Sequence, residues 1–509
     1  NTSAPFNKGE YNTFVGYHAG KEFTTASNLT IVGYKAGESL RTTTNTVIIG
    51  NDAGRDQDVG SYNAFVGSYS GFNSTGANNV TLGYAAGMDL TSGTANTLIG
   101  SNAAQNITTG TNNTVVGRNA MVTNTVSGNY NVALGVSALS NIADAEANIG
   151  IGFQAGNGFT HNDYGIAIGY QSAVSIQGPS KTISIGYRAA QLAMYSNSGD
   201  NQIFIGTEAG QYVGFSNKST GNDNIFIGTH TGRHITYASQ NTVVGHNAYG
   251  RLGGSGQHEV SASNVTAFGY AAGQYATGSG NTFIGSEAGK GGTTSAPFSS
   301  GQNNVAVGNQ AMENFTTGFS NVAVGKNALY ADTTGQYNTA VGNGALFANT
   351  TGQANIALGL DSLVSSQATN NMVSIGFQAM HESNHADTAG NVAVGYTALR
   401  MNVKGAQNVA IGDEAGRYAT GSKNTFVGHR SGLGSTGAPY ASGDKNTAIG
   451  NDTIRVLTTG YQNVAVGHRA GENITTGYSN TYIGGYRTGY YNQTGHSNVG
   501  IGNSAIGSD

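Results

Sequence analysis

Cysteine and tryptophan are both absent from this chain, proline occurs four times, and only 9% of residues carry a charge. Without cysteine no disulfide contributes, so stability has to come from packing and hydrogen bonding. Lysine and arginine are scattered singly and the net charge is −4. The basic stripe that a phosphate backbone requires is missing, which speaks against nucleic acid as a partner. No apolar run approaches the ~20 residues of a membrane span, so no membrane insertion is expected within this chain. The first residues lack the charged and apolar regions of a signal peptide, and any secretion signal or anchor is expected outside the chain.

Glycine is plentiful instead, 80 residues of 509. Twenty-eight glycines in repeat register follow an aliphatic residue, or Phe268 in one copy, and most neighbours among them lie seventeen residues apart, from Gly16, Gly33 and Gly50 to Gly467, Gly484 and Gly502. That period is too short for helix pairs, ankyrin units or propeller blades, and it points to one turn of a β-solenoid per repeat. Richness in Gly, Ser, Asn and Thr would also suit a disordered chain, but aliphatic residues held at one phase argue against disorder. The expected fold is all-β: a parallel β-solenoid, or β-roll, of about 28 rungs running through residues 1–509 as one continuous domain. Rungs stacked ~4.8 Å apart give a needle on the order of 130 Å long.

Positions are counted from the repeat glycine, so that Val15 stands at −1 and Ala19 at +3. The β-branched bias at −1 suits a packed strand, and this position is expected to face inward. Small residues at +3, such as Ala36, Ser70 and Ala288, suit a chain turning back into a narrow interior. Only the copy at Gly484 departs, with Arg487 at +3 and Thr488 next. The glycine itself supplies a backbone angle or a close approach that a Cβ would block. Asn at −4 (Asn12, Asn63, Asn96, Asn241, Asn321, Asn463), or at −5 in copies such as Asn28 and Asn45, predicts a ladder of stacked amides. Recurrent Thr-Thr-Gly, as at Thr316 to Gly318 and Thr333 to Gly335, reads as an outer turn.

Position −2 bears on assembly. It holds Phe14, Phe65, Phe204, Phe226, Phe283, Phe426 and Tyr482, or alanine from Ala306 to Ala410 apart from Ser374. In a strand it points opposite to its neighbours, so it is expected to face outward and to form an oligomer interface. A strand apolar on both faces is covered on both faces, and a rung of seventeen residues cannot cover its own outside. The expected assembly is a side-by-side homotrimer.

Four repeats are enlarged, to 22, 24, 23 and 22 residues, ending at Gly228, Gly269, Gly308 and Gly450. Long loops on a rigid scaffold are where recognition concentrates. Segments 207–222, 247–262, 286–302 and 429–444 are therefore the candidate receptor-binding loops, with Tyr212, Phe215, Arg251, His258, Phe298, Arg430 and Tyr440 as candidate contacts for a glycan or protein receptor on a host surface. Ser3-Ala4-Pro5-Phe6 recurs at Ser295 to Phe298 and, altered, at Gly437 to Tyr440, each time inside an enlarged repeat. The chain thus reads as a fragment of a longer one.

Two catalytic patterns occur and neither fits its context. His381-Glu382-Ser383-Asn384-His385 matches the zinc-protease signature, whose chemistry needs a helix and a third ligand; here it joins two repeats. Gly432-Leu433-Gly434-Ser435-Thr436-Gly437 matches a dinucleotide fingerprint, but no helix pattern follows it. Acidic residues at +2 (Asp52, Glu208, Glu287, Asp361, Glu414, Asp452) form no pair suited to glycosidic cleavage and read as solvated turn charges. No enzyme, cofactor or metal site is expected.

Units such as Asn321-Val322-Ala323-Val324-Gly325-Lys326-Asn327-Ala328-Leu329 and Asn391 to Leu399 resemble the head repeats of trimeric autotransporter adhesins and similar repeats in phage tail fibres. The resemblance covers nearly the whole chain. It implies a left-handed parallel β-roll wound as a homotrimer, extracellular on a cell surface or virion tail fibre, and used for attachment. Two features depart from it: the adhesin heads usually have a somewhat shorter unit, and no coiled-coil stalk or membrane anchor is recognisable here. The leading expectation is a non-enzymatic surface-exposed fibre. The alternatives are a self-polymerising extracellular filament or sheath subunit, and an ice-binding solenoid.

Overall fold

The structure, a computed structural model, describes residues 9–122, 127–176, 181–191, 200–213, 221–236, 238–250, 261–292, 299–384, 388–437 and 440–506. The chain divides into two compact units, Asn1–Ser261 and Ala262–Asp509. The first contains strands β1 (Thr13–Val15) to β14 (Thr242–Val244), the second β15 (Thr266–Phe268) to β28 (Val499–Ile501). Among the described residues there is no α-helix.

Both units are parallel β-solenoids with the period read from the glycines. Most strands span only positions −3 to −1, and each pairs in parallel with the strand of the next repeat. Val305, Ala306 and Val307 lie opposite Val322, Ala323 and Val324. An enlarged repeat keeps the same register: Ile203, Phe204 and Ile205 meet Ile225, Phe226 and Ile227 across 22 residues. The extra residues therefore leave the rung without disturbing the strand.

The repeat glycine answers two demands at once. At Gly325 φ is +132°, and an added Cβ would lie 2.5 Å from the carbonyl oxygen of Gly342 on the next rung. Any side chain would thus meet both a disfavoured backbone angle and a fixed backbone atom. The irregular copy at Gly484 is accommodated by a register shift between Val466 and His468. It brings Thr488, rather than Arg487, into the interior.

Position −2 turns inward, the reverse of the expectation. Phe65, Phe204, Phe226, Phe283, Phe426 and Tyr482 are fully buried within the chain itself, and only Phe14, in β1, keeps 37% exposure. These residues are core, not an interface. The aliphatics at −3 and −1 point outward, with Val80 41% and Leu82 46% exposed. The physical reason lies across the rung, where positions −2 and +4 share one narrow space. Aromatic Phe65, Phe204, Phe226, Phe283 and Phe426 stand in rungs whose +4 residue is Gly71, Gly210, Gly232, Gly289 or Gly432, while Ala133, Ala306, Ala323, Ala340 and Ala357 accompany Leu139, Met312, Leu329, Leu346 and Leu363. A Cβ on Gly232 would come within 2.5 Å of the Phe226 ring. In these rungs large with none, or small with large, fills the interior volume. Ala267, Ala410 and Ala465 stand with Gly273, Gly416 and Gly471, and at Gly416 the space is reached by Phe426 and Leu399 of the adjacent rungs.

The small residues at +3 are buried, as their size predicts, among them Ala36, Ser70 and Ala288. The asparagine ladder runs along position −4, and it works through the backbone. Asn113 accepts the backbone N–H of Asn131 at 2.9 Å and donates from Nδ2 to the carbonyl of Gly128 at 3.0 Å. Asn96 repeats the pattern with Asn113 and Gly110, both at 2.9 Å. Each amide closes a buried polar account that the rung's own backbone leaves open. Asn28 and Asn45 stand outside this ladder. Both have φ above +50°, the left-handed turn that asparagine tolerates, and Leu29 and Thr46 hold the ladder position in those rungs.

Candidate interaction surface

The outward columns at −3 and −1 form an aliphatic stripe along the strands of each unit. In the first unit Val47, Ile49, Val80, Leu82 and Val116 are exposed; in the second Ile284, Val341, Ile356, Ile411, Ile449 and Ile483 are exposed. Tyrosines flank the stripe in sequence: Tyr62, Tyr130, Tyr164 and Tyr337 at −5, and Tyr34, Tyr84, Tyr170, Tyr187 and Tyr396 at +1, all exposed. The stripe is interrupted at −3 by Thr97, Thr114, Thr242, Thr282 and Thr339, and exposed apolar side chains repeated along one face are the kind of surface that contact sites use.

A second column, at +2 and +5, is charged and internally satisfied. The acids at +2 are mostly not isolated solvated charges: Asp52, Glu287, Glu414 and Asp452 have a base three residues later, and Glu208 and Glu414 pair with a base on the following rung. Asp52 meets Arg55 at 3.0 Å, and Glu208 lies 3.3 Å from His230 and 3.5 Å from Arg233. Lys290 bridges Glu287 at 2.7 Å and Glu313 at 3.5 Å. Glu414 pairs with Arg417 and with Arg430, the latter at 2.9 Å. Burial alone pushes the Glu414 carboxyl up, but the hydrogen bonds and charges of Arg430 and Arg417 outweigh it and hold the group below the usual range. The spacing acid-x-x-base in Asp52 to Arg55, Glu287 to Lys290, Glu414 to Arg417 and Asp452 to Arg455 was a readable signal of these pairs.

Of the seven candidate loop residues, Phe215, Arg251, His258 and Phe298 lie outside the described residues. Tyr212 stacks on His234 with ring centroids 4.7 Å apart, and the Arg233 guanidinium sits 5.7 Å from its ring. Arg430 and Tyr440 belong to the same enlarged repeat but take different partners: Arg430 pairs with Glu414, and Tyr440 stacks on Tyr418 at 6.1 Å. All three are held by neighbouring rungs, so they sit at the roots of the loops.

The two catalytic patterns dissolve into rung architecture. His381 and Glu382 occupy a turn, 2.9 Å apart, Ser383 is buried with its hydroxyl donating to the Asn402 carbonyl at 2.9 Å, and His385 lies outside the described residues. In the glycine-rich segment the N–H groups of Gly434 and Ser435 donate to the Arg455 and Leu457 carbonyls at 3.0 and 3.2 Å. Donors already paired with the next rung are not free to cradle a phosphate. In the Thr-Thr-Gly turns, Thr333 Oγ1 donates to the Thr350 carbonyl at 2.8 Å and Thr350 Oγ1 to the Gln367 carbonyl at 2.9 Å. Those hydroxyls are engaged along the stack rather than arrayed toward water.

One chemically distinctive group escaped the sequence reading. Asp332 occupies the core position +7, fully buried, where Asn349 Nδ2 donates to it at 2.9 Å and Asn321 Nδ2 lies 3.4 Å away. Burial pushes its carboxyl up to about 7 against the opposing hydrogen bonds from Asn349 and the Gly335 N–H. Below it the same core column continues as Asn349, Ser366, Ser383 and Asn402, all buried. The sequence signal was the loss of apolar residues at +7 over these five repeats. Among the described residues no group of three or more His, Asp or Glu side chains is placed to hold a metal ion, and no helix is long and apolar enough to cross a membrane. Comparison with protein-family models and with curated proteins finds no match to this chain.

Proposed function

We propose that this chain is a non-enzymatic, surface-exposed fibre protein that extends from a cell or virion surface and mediates attachment, with its copies packed side by side as a homotrimer. The observation that carries this reading is the outward aliphatic stripe at −3 and −1, which a lone chain leaves in water. Fully burying an exposed Val, Leu or Ile is worth roughly 1.5–3 kcal/mol. These side chains are mostly more than half buried already, so each offers the smaller part of that, one at −1 in nearly every rung and a second where Val or Ile stands at −3. A second copy with the same stripe is the simplest cover, and closed rotational symmetry satisfies every copy equally. The resemblance of the repeat to adhesin heads and tail fibres supports the extracellular setting, the threefold assembly and a left-handed coil. The enlarged repeats supply the loops for a glycan or protein receptor.

Sedimentation at micromolar concentration tests the assembly. A species of three times 51.9 kDa is expected, and a single species of 51.9 kDa overturns it. Ile225→Asp with Ile227→Asp, on the outward columns of one strand, is expected to weaken association at least tenfold while far-UV circular dichroism of the dissociated chain stays unchanged.

A further inference from the structure

A surface cleft of about 320 Å³ opens beside one enlarged repeat, lined by Ser300, Gly301, Gln302, Asn303, Thr317 and Phe319. Residues 293–298, which precede it, include the segment whose lengthening makes this repeat 23 residues long. Ser300, Gln302, Asn303 and Thr317 are exposed, so their hydroxyl and amide groups face solvent and can exchange water for a ligand. The lining has no charged side chain.

The aromatic at this cleft differs in orientation from most rings on the solenoid. Phe153, Tyr170 and Tyr187 stack rung on rung at 5.2 and 5.5 Å with interplanar angles of 18° and 14°, and Tyr461 and Tyr478 lie at 2°. Such rings cover one another's faces and offer mainly edges. Phe319 instead meets Tyr337 edge to face, at 5.2 Å and 82°. A perpendicular pair leaves ring face uncovered by its partner, and that is the surface on which the C–H face of a sugar ring packs.

We propose that this cleft binds a neutral pyranoside, with Phe319 stacking against the sugar and Gln302, Asn303, Ser300 and Thr317 hydrogen-bonding its hydroxyls. The chemistry selects the ligand class. An uncharged polar lining leaves an acidic sugar's carboxylate without a cation, and it leaves a protein loop without an apolar anchor other than Phe319. The proposal rests on the attachment function above and names the receptor chemistry of one loop.

The test uses the whole chain and the methyl glycosides of glucose, galactose and N-acetylglucosamine at millimolar concentration, read by saturation-transfer NMR and titration calorimetry. Binding of at least one is expected, weakened about tenfold or more, or ~1.4 kcal/mol, by Phe319→Ala and by Gln302→Ala. Tyr170→Ala, in a parallel stack, is expected to leave it unchanged. Gln302 is exposed, so its variant decides the matter if Phe319→Ala fails to fold. The proposal is overturned if none of the three glycosides binds, if only sialic acid or another acidic sugar binds, or if the cleft variants bind as well as the parent chain. Sedimentation of the same sample separates this failure from failure of the assembly itself.

Discussion

The core of the first unit and the middle of the second solve the same rung differently. At position +7 the first unit buries Leu40, Leu90, Ile107, Ile142 and Phe159, while the second runs Asp332, Asn349, Ser366, Ser383 and Asn402 through the same place. Position −2 follows suit, with Phe65, Phe204 and Phe226 in the one and Ala340, Ala357, Ser374 and Ala393 in the other. Strand register is identical in both. The lesson is that backbone stacking and the repeat glycine define the fold, while the interior has only to be filled and its polar groups paired. Leu346, Leu363 and Leu399 replace the phenylalanine volume, and Asn402, with Gly405 donating to its Oδ1 at 2.7 Å, replaces an apolar contact by a turn-capping hydrogen bond.

The strongest way to break this comparison is to convert one rung type into the other. Phe226→Ala alone is expected to cost about 3–5 kcal/mol, as loss of a buried phenyl does, and Gly232→Leu alone is also expected to destabilise by collision with Phe226. The double variant recreates the Ala-with-Leu rung and is expected to recover most of the loss. Denaturant unfolding of the four proteins checks it; full additivity of the two losses would show that the residues do not share one space.

Asp332→Asn is next in size. The folded carboxyl titrates near 7 instead of the usual 3.8, so the folded state holds a proton that the unfolded chain releases. Stability from this group is fully present below pH 3.8, falls as pH rises, and is lost above about 7; a shift of this size amounts to roughly 4 kcal/mol. The asparagine variant is expected to flatten that slope and to melt higher at pH 8 than the parent. Equal slopes for parent and variant across pH 4–7 would show that Asp332 is ionised throughout.

Arg430→Ala is expected to change least. Glu414 retains Arg417, and an ion pair whose arginine is solvent-exposed is worth about 1 kcal/mol. Thermal melting in low and high salt is expected to show a small loss that salt erases, with any larger loss assigning Arg430 a packing role instead.

The repeat, the parallel stacking, the glycine's double role and the position of the asparagine ladder were legible because each depends on one residue type at a fixed phase. Sidedness was not, since −3, −2 and −1 are all apolar in many copies and alternation alone does not say which face is in. The deciding sign was present but spread across the rung: Phe204 goes with Gly210, and Ala323 with Leu329. Residues whose sizes compensate must share an enclosure. The Asp332 column was harder to see, because a polar residue between Leu329 and Thr333 looks like the start of the outer turn. Of the candidate loop contacts, only Tyr212, Arg430 and Tyr440 are described, and their environment comes from rungs distant in sequence that no local pattern announces.

The glycine column carries a consequence for how errors spread. A Cβ on Gly16 would strike Gly33, one on Gly33 would strike Gly50, and one on Gly325 would strike Gly342, always the following repeat and never the preceding one. At Gly502, just after β28, an added Cβ meets nothing within 4 Å. An added side chain at one of these glycines therefore collides with the rung that follows, while the rung before it is reached only through the backbone bond that the glycine donates, as from Gly325 to the Val307 carbonyl at 2.8 Å.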